Sequence, residues 1–458
     1  MSCVYDTYYD VIVAGGGVSG TAAAISAARS GAKTLILEQA GYLGGTLTSC
    51  GVGPIMTFFS GEKQVIKGIM QEIVDRLMER GYSCGHVKDT TRYVSYVTPF
   101  DAEGLKLVLD DMVWEAGCTV LFHTFAGSVE ITDDRIASLT VCNKDGINTV
   151  KANIYIDATG DGDIMAWAGE ETVKGRRSDG AAQPLTMKMK FCNVETGKLK
   201  DYIKSHLEDF PRLKNNLDLL DTSDPLALAG FDRVFQKAKQ KGELSIPRED
   251  VLMFETSRAG EYIVNTTRIL GCDATDATSL SMAEREGRRQ CEELARFFKL
   301  YVPGFETALL EYTGPSVGIR GSRQLSGSYV LSAPDLLAGR VFDTVIAHSG
   351  YPIDIHSPDG EGTRTHYIGE GGGRTYYDIP YEIMIPRTVK NLLVTGRCAS
   401  ASFEAQASIR LTPSAGAMGQ AAGIAAAMAS GQKCSVGMID VSLLQKALKE
   451  HGAYLENN

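Results

Sequence analysis

A glycine-rich turn between a short apolar segment and a run of small residues lies at the start of the chain. Residues 11–14 are apolar, as in a buried parallel strand, and the pattern Gly15-x-Gly17-x-x-Gly20 follows them directly. In such a pattern the glycines permit a tight turn, the close approach of a pyrophosphate to the backbone, and close contact between the following helix and the strand. The pattern therefore predicts a nucleotide-binding βαβ unit.

The residues that follow complete this unit. Residues 21–29 are mostly alanine, which suits a helix lying close to a sheet, and Gly31 is placed to end that helix. A second strand is predicted over residues 33–37. It leads into Glu38, near the position at which an acidic side chain accepts hydrogen bonds from a ribose 2′-hydroxyl and repels a 2′-phosphate. The alternative, a glycine-rich turn in an ordinary α/β protein, does not account for an acid in this register.

The composition limits the partners of the chain. A length of 458 residues is enough for two or three domains, or for one nucleotide-binding domain with a second domain inserted into it. A content of 44% hydrophobic and 22% charged residues is typical of a globular enzyme. The net charge of −10 argues against nucleic acid or an anionic membrane as a partner, because both attract basic surfaces.

The cysteines and the first residues indicate a cytoplasmic protein. The ten cysteines include no C-x-x-C pair, so most are predicted to be buried and reduced rather than to bind zinc or exchange disulfides. The first ten residues lack the basic start and apolar core of a secretory signal. Residues 415–429 are small and interrupted by Gln420, which fits a buried helix better than a membrane span. We expect no metal, because the acids of residues 157–163 lack the spacing of a calcium loop.

Two stretches of α/β character flank a middle region of different character. In the flanking stretches the predicted elements are helices at 64–80 and 103–116, strands at 119–123, 127–131, 135–141, 153–156 and 389–397, and an alanine-rich helix from residue 413. The middle region combines polar helices, short strands and proline-containing turns, with its longest predicted helix at 275–300. We therefore predict an α/β protein: a discontinuous Rossmann-like domain in residues 1–185 and 385–458, with an inserted α+β substrate or cap domain at residues 186–384.

Several further motifs resemble those of a known family. They follow the family's order over nearly the whole chain: Gly44-Gly45-Thr46, Asp157-Ala-Thr-Gly-Asp161, Gly318-Ile-Arg320-Gly-Ser-Arg323, Tyr351-Pro-Ile-Asp354-Ile-His356, Ile379-Pro380-Tyr381, the segment from Asn391 to Arg397, and Ala415-Gly416-Ala-Met-Gly419-Gln-Ala-Ala-Gly423. With the first βαβ unit, they make the chain similar to the FAD-dependent oxidoreductases of the glutathione-reductase-like class. The resemblance implies FAD rather than NAD, with the ADP part on the first βαβ unit and the flavin ring toward the C-terminal helix.

The resemblance also implies which residues hold the cofactor. They are Gly15, Gly17, Ser19, Gly20, Glu38, Gly44, Gly45, Thr46, Thr159, Gly160, Asp161, Gly396, Arg397, Ala415, Gly416 and Ala417. Many flavoproteins of this class have Gly-Asp where this chain has Gly396-Arg397, so an aspartate contact to the ribityl chain is replaced by an arginine that could reach a phosphate. The amides near residues 415–417 are expected to point at the pyrimidine end of the flavin, where the helix dipole stabilises the reduced ring.

Three side chains are candidates for substrate chemistry. Arg320 and Arg323 are predicted to hold a carboxylate or another polar oxygen group over the flavin, because guanidinium groups donate paired hydrogen bonds. His356 is the leading candidate for proton transfer, with Asp354 to orient it, since histidine titrates near the working pH. The alternatives are that the arginines form ion pairs inside the cap and that the histidine is structural.

These features predict a reaction class but not a substrate. The resemblance implies hydride transfer between flavin N5 and a small polar substrate, either a hydroxy, keto or unsaturated compound. Two alternatives stay open: a flavin-dependent monooxygenase, and a non-catalytic flavin subunit that transfers electrons within a redox complex. No second dinucleotide unit follows, because no helix is predicted after the glycine-rich segment 369–373. The electron donor or acceptor is therefore unknown, and a homodimer is compatible with the sequence.

Overall fold

The described residues of the computed structural model are 4–213, 216–370 and 372–456. Cys3 and Gly371, which belong to the cysteines and to the glycine-rich segment discussed above, lie outside these ranges. In chain order the α-helices are α1 (Val18–Arg29), α2 (Thr46–Ser49), α3 (Ile69–Glu79), α4 (Ala102–Glu115), α5 (Asp163–Trp167), α6 (Thr196–Ser205), α7 (Leu217–Thr222), α8 (Asp232–Gln240), α9 (Ala277–Tyr301), α10 (Ala333–Leu337), α11 (Phe403–Ile409), α12 (Thr412–Gln432) and α13 (Val441–Glu450).

The β-strands form one large sheet, a five-stranded sheet and several two-stranded ribbons. In chain order they are β1 (Tyr8–Ala14), β2 (Thr34–Leu37), β3 (Phe59–Ser60), β4 (Lys63–Gln64), β5 (Val87–Lys88), β6 (Tyr96–Val97), β7 (Thr119–Leu121), β8 (Phe125–Thr132), β9 (Arg135–Asn143), β10 (Gly146–Asp157), β11 (Thr172–Lys174), β12 (Met189–Cys192), β13 (Ala227–Gly230), β14 (Val251–Glu255), β15 (Tyr262–Val264), β16 (Leu309–Thr313), β17 (Arg323–Leu325), β18 (Val345–Ser349), β19 (Ile353–His356), β20 (Thr363–His366), β21 (Tyr377–Pro380) and β22 (Leu392–Val394).

The large sheet is the centre of the nucleotide-binding domain. Its strands have the order β7-β2-β1-β10-β9-β8, and β22 also pairs with β10. Val13 of β1 lies opposite Ile36 of β2 on one side and opposite Ile156 of β10 on the other, both in parallel pairing. Because β22 comes from the C-terminal part of the chain, the two flanking stretches build one sheet. The prediction of a discontinuous Rossmann-like α/β domain is confirmed.

Helix α12 lies directly against α1. A Cβ on Gly419 would collide with the Ser19 carbonyl oxygen, and a Cβ on Gly423 with that of Ala23. The residue numbers of the contacting pairs increase in the same direction along both helices. Helices α1 and α12 are therefore parallel, and their N-termini lie at the same end. The small residues are thus required for the close approach of the two backbones. In the described ranges, no helix, α12 included, combines the length and apolar character needed to cross a membrane.

The middle region builds a sheet of its own. Its strands have the order β13-β14-β15-β12-β16, with antiparallel pairing throughout. Phe298 of α9 packs behind this sheet against Phe191 and Phe305. The buried residues of this core extend from Leu185 to Val317, whereas buried residues between 331 and 384 join the core around α1 and α12. The region is α+β as predicted, and the exact domain boundaries stay a prediction.

Two predicted elements are shorter than the apolar pattern indicated. The helix predicted over 64–80 begins at Ile69, because residues 63–64 pair with β3 and Gly68 precedes the helix with a φ of +65°. The strand predicted over 389–397 is limited to β22, and residues 396–398 form a 3₁₀ turn in which Gly396 has a φ of +78°. In both cases a turn at a glycine interrupts a continuous apolar pattern.

Candidate functional site

The glycine pattern after β1 forms the turn that enters α1. A Cβ on Gly15, whose φ is +99°, would collide with the Ala158 carbonyl oxygen, and a Cβ on Gly20 would collide with the Gly15 carbonyl oxygen. Gly17, the N-cap of α1, differs, because the nearest atom to an added Cβ is the Gly45 Cα at 3.7 Å. The space beside Gly17 is therefore open. The first-turn amides of α1, which have no acceptor within a helix, adjoin this space as a pyrophosphate requires.

Glu38 lies buried at the end of β2, beside the same turn. Its Oε2 accepts a hydrogen bond from the Gly16 amide at 2.7 Å, and its Oε1 accepts one from the Ala40 amide at 2.7 Å. Burial raises the pKa of Glu38, while these amide hydrogen bonds act in the opposite direction. A carboxylate has about four acceptor positions, so two amide donors leave capacity for ribose hydroxyls.

Residues 44–46 lie against the glycine turn. The Gly44 amide donates to the Gly16 carbonyl at 2.9 Å, and a Cβ on Gly45 would be 2.8 Å from the Gly17 Cα. Thr46 is the first residue of α2. The structure therefore brings the two predicted glycine segments together around one space.

The loop after β10 closes the other side of the turn. Buried Asp157 holds this loop: its carboxylate accepts hydrogen bonds from the Thr159 amide (3.1 Å), the Thr159 hydroxyl (2.7 Å) and the Met165 amide (2.9 Å). Burial raises the pKa of Asp157 to about 6. Thr159 lies next to Gly15, since a Cβ on Gly15 would be 3.0 Å from the Thr159 Cα.

Two arginines of the predicted site pair with the acids of this loop. Arg397 Nη2 lies 2.9 Å from Asp161 Oδ1, and Arg323 Nη1 lies 2.8 Å from Asp163 Oδ1. Arg397 thus pairs with an acid of its own chain. Arg323 is also paired, but its partner Asp163 lies in the first part of the predicted nucleotide-binding domain and not inside the cap, where the alternative to a substrate clamp placed the ion pairs.

Ser19 and Gly396 meet where α1 passes the end of β22. The Ser19 and Thr395 hydroxyl oxygens are 3.0 Å apart, and a Cβ on Gly396 would be 3.0 Å from the Ser19 Cβ. Both residues were predicted to contact the cofactor. Their contact joins the N-terminal and C-terminal parts of the nucleotide-binding domain at one point.

The free amides at the N-terminus of α12 precede the residues for which they were predicted, although the helix starts within one residue of the predicted Pro413. The helix begins at Thr412, and the Ala415 amide already donates to the Leu411 carbonyl at 2.9 Å. The prediction that the amides of residues 415–417 are available to the flavin is therefore wrong, because these amides lie inside the helical hydrogen-bond ladder. The amides without an acceptor in the helix are those of Thr412 and Ser414, since Pro413 has none.

Four buried basic residues of the middle region and one partly buried arginine at the end of α11 lie close enough to affect one another's pKa. We call Lys188, Arg248, Arg268, Arg320 and Arg410 the cationic cluster. Arg320 is 7% exposed, and its Nη1 donates to the Pro184 carbonyl at 2.6 Å. Burial, followed by the charges of Arg410, Arg248 and Arg268, lowers the pKa of Arg320. Lys188 is 4% exposed, and burial together with the charges of Arg320, Arg248 and Arg410 lowers its pKa well below the usual lysine value.

His356 and Asp354 of β19 border the cationic cluster. His356 Nε2 lies 3.3 Å from Asp354 Oδ2, and His356 Nδ1 lies 3.4 Å from Arg268 Nη2 and 3.2 Å from Thr363 Oγ1. Because Arg268 can only donate, Nδ1 is the acceptor and Nε2 carries the proton that faces Asp354. Burial and the charge of Arg320 lower the pKa of His356 to about 3, so the ring is neutral near pH 7.

The cationic cluster adjoins the cofactor segments at both ends. Arg410 is the C-cap of α11 and precedes the first residue of α12 by two positions. A Cβ on Gly51, which follows α2, would be 3.6 Å from the Lys188 Cβ. Ser322, two residues after Arg320, donates a hydrogen bond to Asp161 at 2.6 Å. These contacts place the cluster between the middle region and the residues predicted to hold the cofactor.

Related proteins establish the family of the chain. The family described as FAD dependent oxidoreductase matches residues 10–448. The chain belongs to this family. It is 29% identical over 167 residues to digeranylgeranylglycerophospholipid reductase 2 of Methanothermobacter thermautotrophicus, a match that covers 36% of the chain and 43% of that protein. The match thus spans less than half the length of this curated relative.

Two solved structures have some similarity to this FAD-dependent oxidoreductase. One is a geranylgeranyl bacteriochlorophyll reductase-like protein from Thermoplasma acidophilum, with a TM-score of 0.49 and 16% identity over 97% of this chain and 83% of that chain. The other is p-nitrophenol 4-monooxygenase from Pseudomonas putida, with a TM-score of 0.47 and 12% identity over 96% of this chain and 82% of that chain. Both TM-scores are below 0.5, so the family assignment rests on the match over residues 10–448.

The cofactor of this FAD-dependent oxidoreductase is FAD, and the residues present fit it. The open space beside Gly17 lies at the N-terminus of α1, where helix amides suit a pyrophosphate. Glu38 keeps acceptor capacity for a ribose. The parallel packing of α1 and α12 brings the free amides of Thr412 and Ser414 to the same end of the domain as those of α1. Among the described residues no group of acids, histidines and cysteines is arranged to hold a metal.

The sequence predicted Arg320 and His356 as candidates for substrate chemistry. It did not predict the four other members of the cationic cluster. Lys188, Arg248, Arg268 and Arg410 belong to no common motif and come from separate segments of the chain. One signal was available for Lys188, which lies among apolar residues in the segment 185–191 leading into β12. A charge inside a buried strand is unusual and marks a candidate site.

Proposed function

We propose that this FAD-dependent oxidoreductase transfers a hydride between flavin N5 and a small polar substrate, a hydroxy, keto or unsaturated compound. The observation that carries the proposal is the cationic cluster beside the cofactor segments, centred on Arg320. Buried charges are costly unless they are paired, so a polar partner is expected for them. Bound FAD supplies the acceptor or donor of the hydride. The chain supplies the binding, the orientation and the proton transfer described below.

Arg320 is the residue we assign to substrate orientation. Its guanidinium is nearly buried, and within the described ranges no carboxylate lies at ion-pair distance from it. A substrate oxygen held by this fork would receive charge-assisted hydrogen bonds that strengthen as negative charge develops on that oxygen. Arg323 acts differently, because its guanidinium is already paired with Asp163. We therefore assign Arg323 to positioning of the loop after β10.

Lys188 joins His356 as a candidate for proton transfer. A pKa of about 3 makes His356 a weak base near neutral pH, and both of its ring nitrogens have partners. Burial and the charges of Arg320, Arg248 and Arg410 lower the pKa of Lys188 below the usual lysine value, so this ammonium releases its proton more readily than an exposed lysine does. As the C–H bond of a substrate alcohol gives up its hydride, the Lys188 Nζ lone pair can accept the hydroxyl proton, and a C=O bond forms.

In this proposal each predicted domain has its own role in binding FAD or the substrate. Residues 1–185 and 385–458 hold FAD in this proposal, and residues 186–384 cover it and contribute substrate contacts. Support comes from β22, which completes the sheet begun by β1, and from Arg320, which lies in the middle region. We also place the protein in the cytoplasm, because the nine cysteines in the described ranges are free thiols and that compartment keeps thiols reduced.

Anaerobic reduction of the bound flavin tests the proposal. The FAD-loaded protein is mixed with a library of hydroxy and saturated compounds, and its reduced form with keto and unsaturated ones, while flavin absorbance is followed. For a compound that reduces or oxidises the flavin, the rate of the absorbance change should be lower when the transferred hydrogen is replaced by deuterium. Arg320→Ala should lower the rate about ten- to a hundredfold with normal FAD content, and Arg320→Lys should recover part of it.

Arg296→Ala is the matched control, because the Arg296 side chain is 65% exposed on α9 and, in the part of the chain that the structure describes, forms an ion pair with Glu292 alone, at 3.6 Å. Arg320→Ala reacting at the parent rate would contradict the proposal. A hydroxylated product formed when the reduced protein meets oxygen would indicate a monooxygenase instead. Co-purification with an iron–sulfur protein, without turnover of any small molecule, would indicate an electron-transfer subunit.

A further inference from the structure

Three buried hydrogen-bond donors around the cationic cluster have no acceptor in the described part of the chain. They are Arg248 Nη1, Arg410 Nε and Gln183 Nε2. Arg248 is 5% exposed and Gln183 is 1% exposed, so bulk solvent does not reach these donors. Leaving a buried donor unpaired destabilises the folded protein. Three such donors near one cluster indicate an acceptor that is not part of the polypeptide.

Gln183 is fixed in place by its other amide atom. Its Oε1 accepts a hydrogen bond from the His356 amide at 3.1 Å, which identifies Nε2 as the donor left over. His356 in turn lies 3.4 Å from Arg268, and its pKa responds to the charges of Arg320 and Arg410. The unpaired Gln183 amide group therefore borders the cationic cluster.

The arginines of the cluster outnumber the carboxylates that pair with them. Arg248 has Asp250 at 3.3 Å, and Arg410 has Asp354 at 3.7 Å. In residues 4–213, 216–370 and 372–456, neither Arg268 nor Arg320 forms an ion pair within 4 Å, although Glu249 and Glu361 act on Arg268 from a greater distance. Guanidinium groups stay protonated in proteins, so the cluster carries an excess of positive charge.

We propose that the cationic cluster binds an oxyanionic group of the substrate, a carboxylate or a phosphate. The proposal rests on the proposed function and names the substrate class for it. Arg320, Arg248 and Arg410 would provide charge-assisted hydrogen bonds, and Gln183 Nε2 a neutral one. Arg410 lies two residues before the start of α12, so the bound anion would lie beside the predicted flavin position. The pyrophosphate of FAD is not this anion, because its site is at the N-terminus of α1.

An isosteric change at Gln183 tests this site directly. Gln183→Glu keeps the oxygen that accepts from His356 and places a second carboxylate oxygen where the unpaired donor was. If the cationic cluster binds an anion, the carboxylate introduced by this substitution should occupy the same position. It should therefore raise the unfolding midpoint of the FAD-loaded protein and abolish binding of added oxyanions. Arg248→Gln should weaken that binding about ten- to a hundredfold. Arg296→Gln, a change on the exposed face of α9, should alter neither property.

The probes are acetate, malonate, inorganic phosphate and neutral acetamide at constant ionic strength. Binding is read from the absorbance of oxidised flavin and from the unfolding midpoint. Saturable binding of oxyanions but not of acetamide supports the proposal, and the ranking of acetate and malonate against phosphate identifies the group. No saturable binding, or equal binding to the parent, Gln183→Glu and Arg248→Gln proteins, would overturn it.

The outcomes also separate this inference from the proposed function. If only neutral compounds reduce the flavin and oxyanions do not bind, the substrate class is wrong while hydride transfer stands. If oxyanions bind as expected and no compound in the library exchanges a hydride with the flavin, the site stands and the proposed reaction is wrong. Circular dichroism and FAD content, measured for each variant, identify any protein that has not folded. If one of these variants has not folded, Arg410→Lys, which keeps the charge, replaces it, and its oxyanion binding is compared with that of the parent protein.

Discussion

Arg397 Nη2 lies 2.9 Å from Asp161 Oδ1, and this ion pair connects the turn after β22 to the loop after β10. Ser322 donates to the same carboxylate oxygen at 2.6 Å, and Arg397 Nη1 donates to the Ser322 hydroxyl at 3.1 Å. Three segments that are distant in sequence therefore meet at Asp161. One of them includes Ser322, two residues after Arg320, so hydrogen bonds connect the loop after β10 to the segment of the proposed substrate contact.

Removing this ion pair should loosen FAD. Arg397→Ala leaves the largely buried Asp161 carboxylate with fewer donors, which should cost about 1–3 kcal/mol and weaken FAD binding about tenfold or more. Arg397→Lys should lose less, because it keeps the charge. FAD dissociation is followed by the increase in flavin fluorescence. Equal FAD affinity in the parent and Arg397→Ala proteins would show that the ion pair does not support the cofactor loop.

Two glycines of the same turn should respond differently to alanine. Gly17→Ala should preserve the apo fold, because φ is −65° and an added Cβ meets its nearest atom at 3.7 Å, but the methyl group would occupy space needed by the pyrophosphate. Gly20→Ala should destabilise the apo fold itself, because its Cβ collides with the Gly15 carbonyl. Chemical denaturation without FAD, and FAD titration, distinguish the two. A Gly17→Ala protein with parent FAD affinity would contradict the assignment of this space.

The stability of the protein should depend on pH through His356. Its pKa is lowered to about 3 in the folded state, whereas a histidine in an unfolded chain titrates near 6.5. Between these values the unfolded state binds more protons, so stability increases as pH rises from about 3 to 6.5, by at most about 1.4 kcal/mol per pH unit for one proton. Denaturant unfolding between pH 4 and 6.5 should give a shallower slope for His356→Gln. Identical slopes would show that this histidine does not titrate as described.

NADH and NADPH should be poor reductants of the flavin. The described residues contain one glycine-rich βαβ unit, and FAD occupies it in our assignment. A nicotinamide would have to share the substrate site in turn. Anaerobic stopped-flow mixing measures the rate of flavin reduction by each nucleotide. Fast, saturable bleaching of the flavin at low NADH or NADPH concentration would contradict the prediction.

The cofactor half of the protein could be predicted from sequence because its signals are local. The turn of Gly15, Gly17 and Gly20 depends on neighbouring residues and on the absence of side chains, and β1, α1 and β2 follow in immediate succession. Glu38 could be placed for the same reason. The start of α12 was predicted to within one residue, but its free amides were placed too late, because Thr412, Pro413 and Ser414 form the first turn and the Ala415 amide already donates within the helix.

The residues that surround Arg320, the proposed substrate contact, could be identified only from the tertiary structure. The segment leading to Lys188 pairs with the segment leading to Arg320 through hydrogen bonds between Thr186 and Gly318, and α11 adds Arg410 from a distant part of the chain. The tertiary structure also revealed the ion pair between Arg323 and Asp163, 2.8 Å apart and 160 positions distant in the sequence. The sequence determined the nucleotide-binding unit, since a turn and a helix depend on residues close along the chain. The cationic cluster depends on distances between residues that only folding brings together.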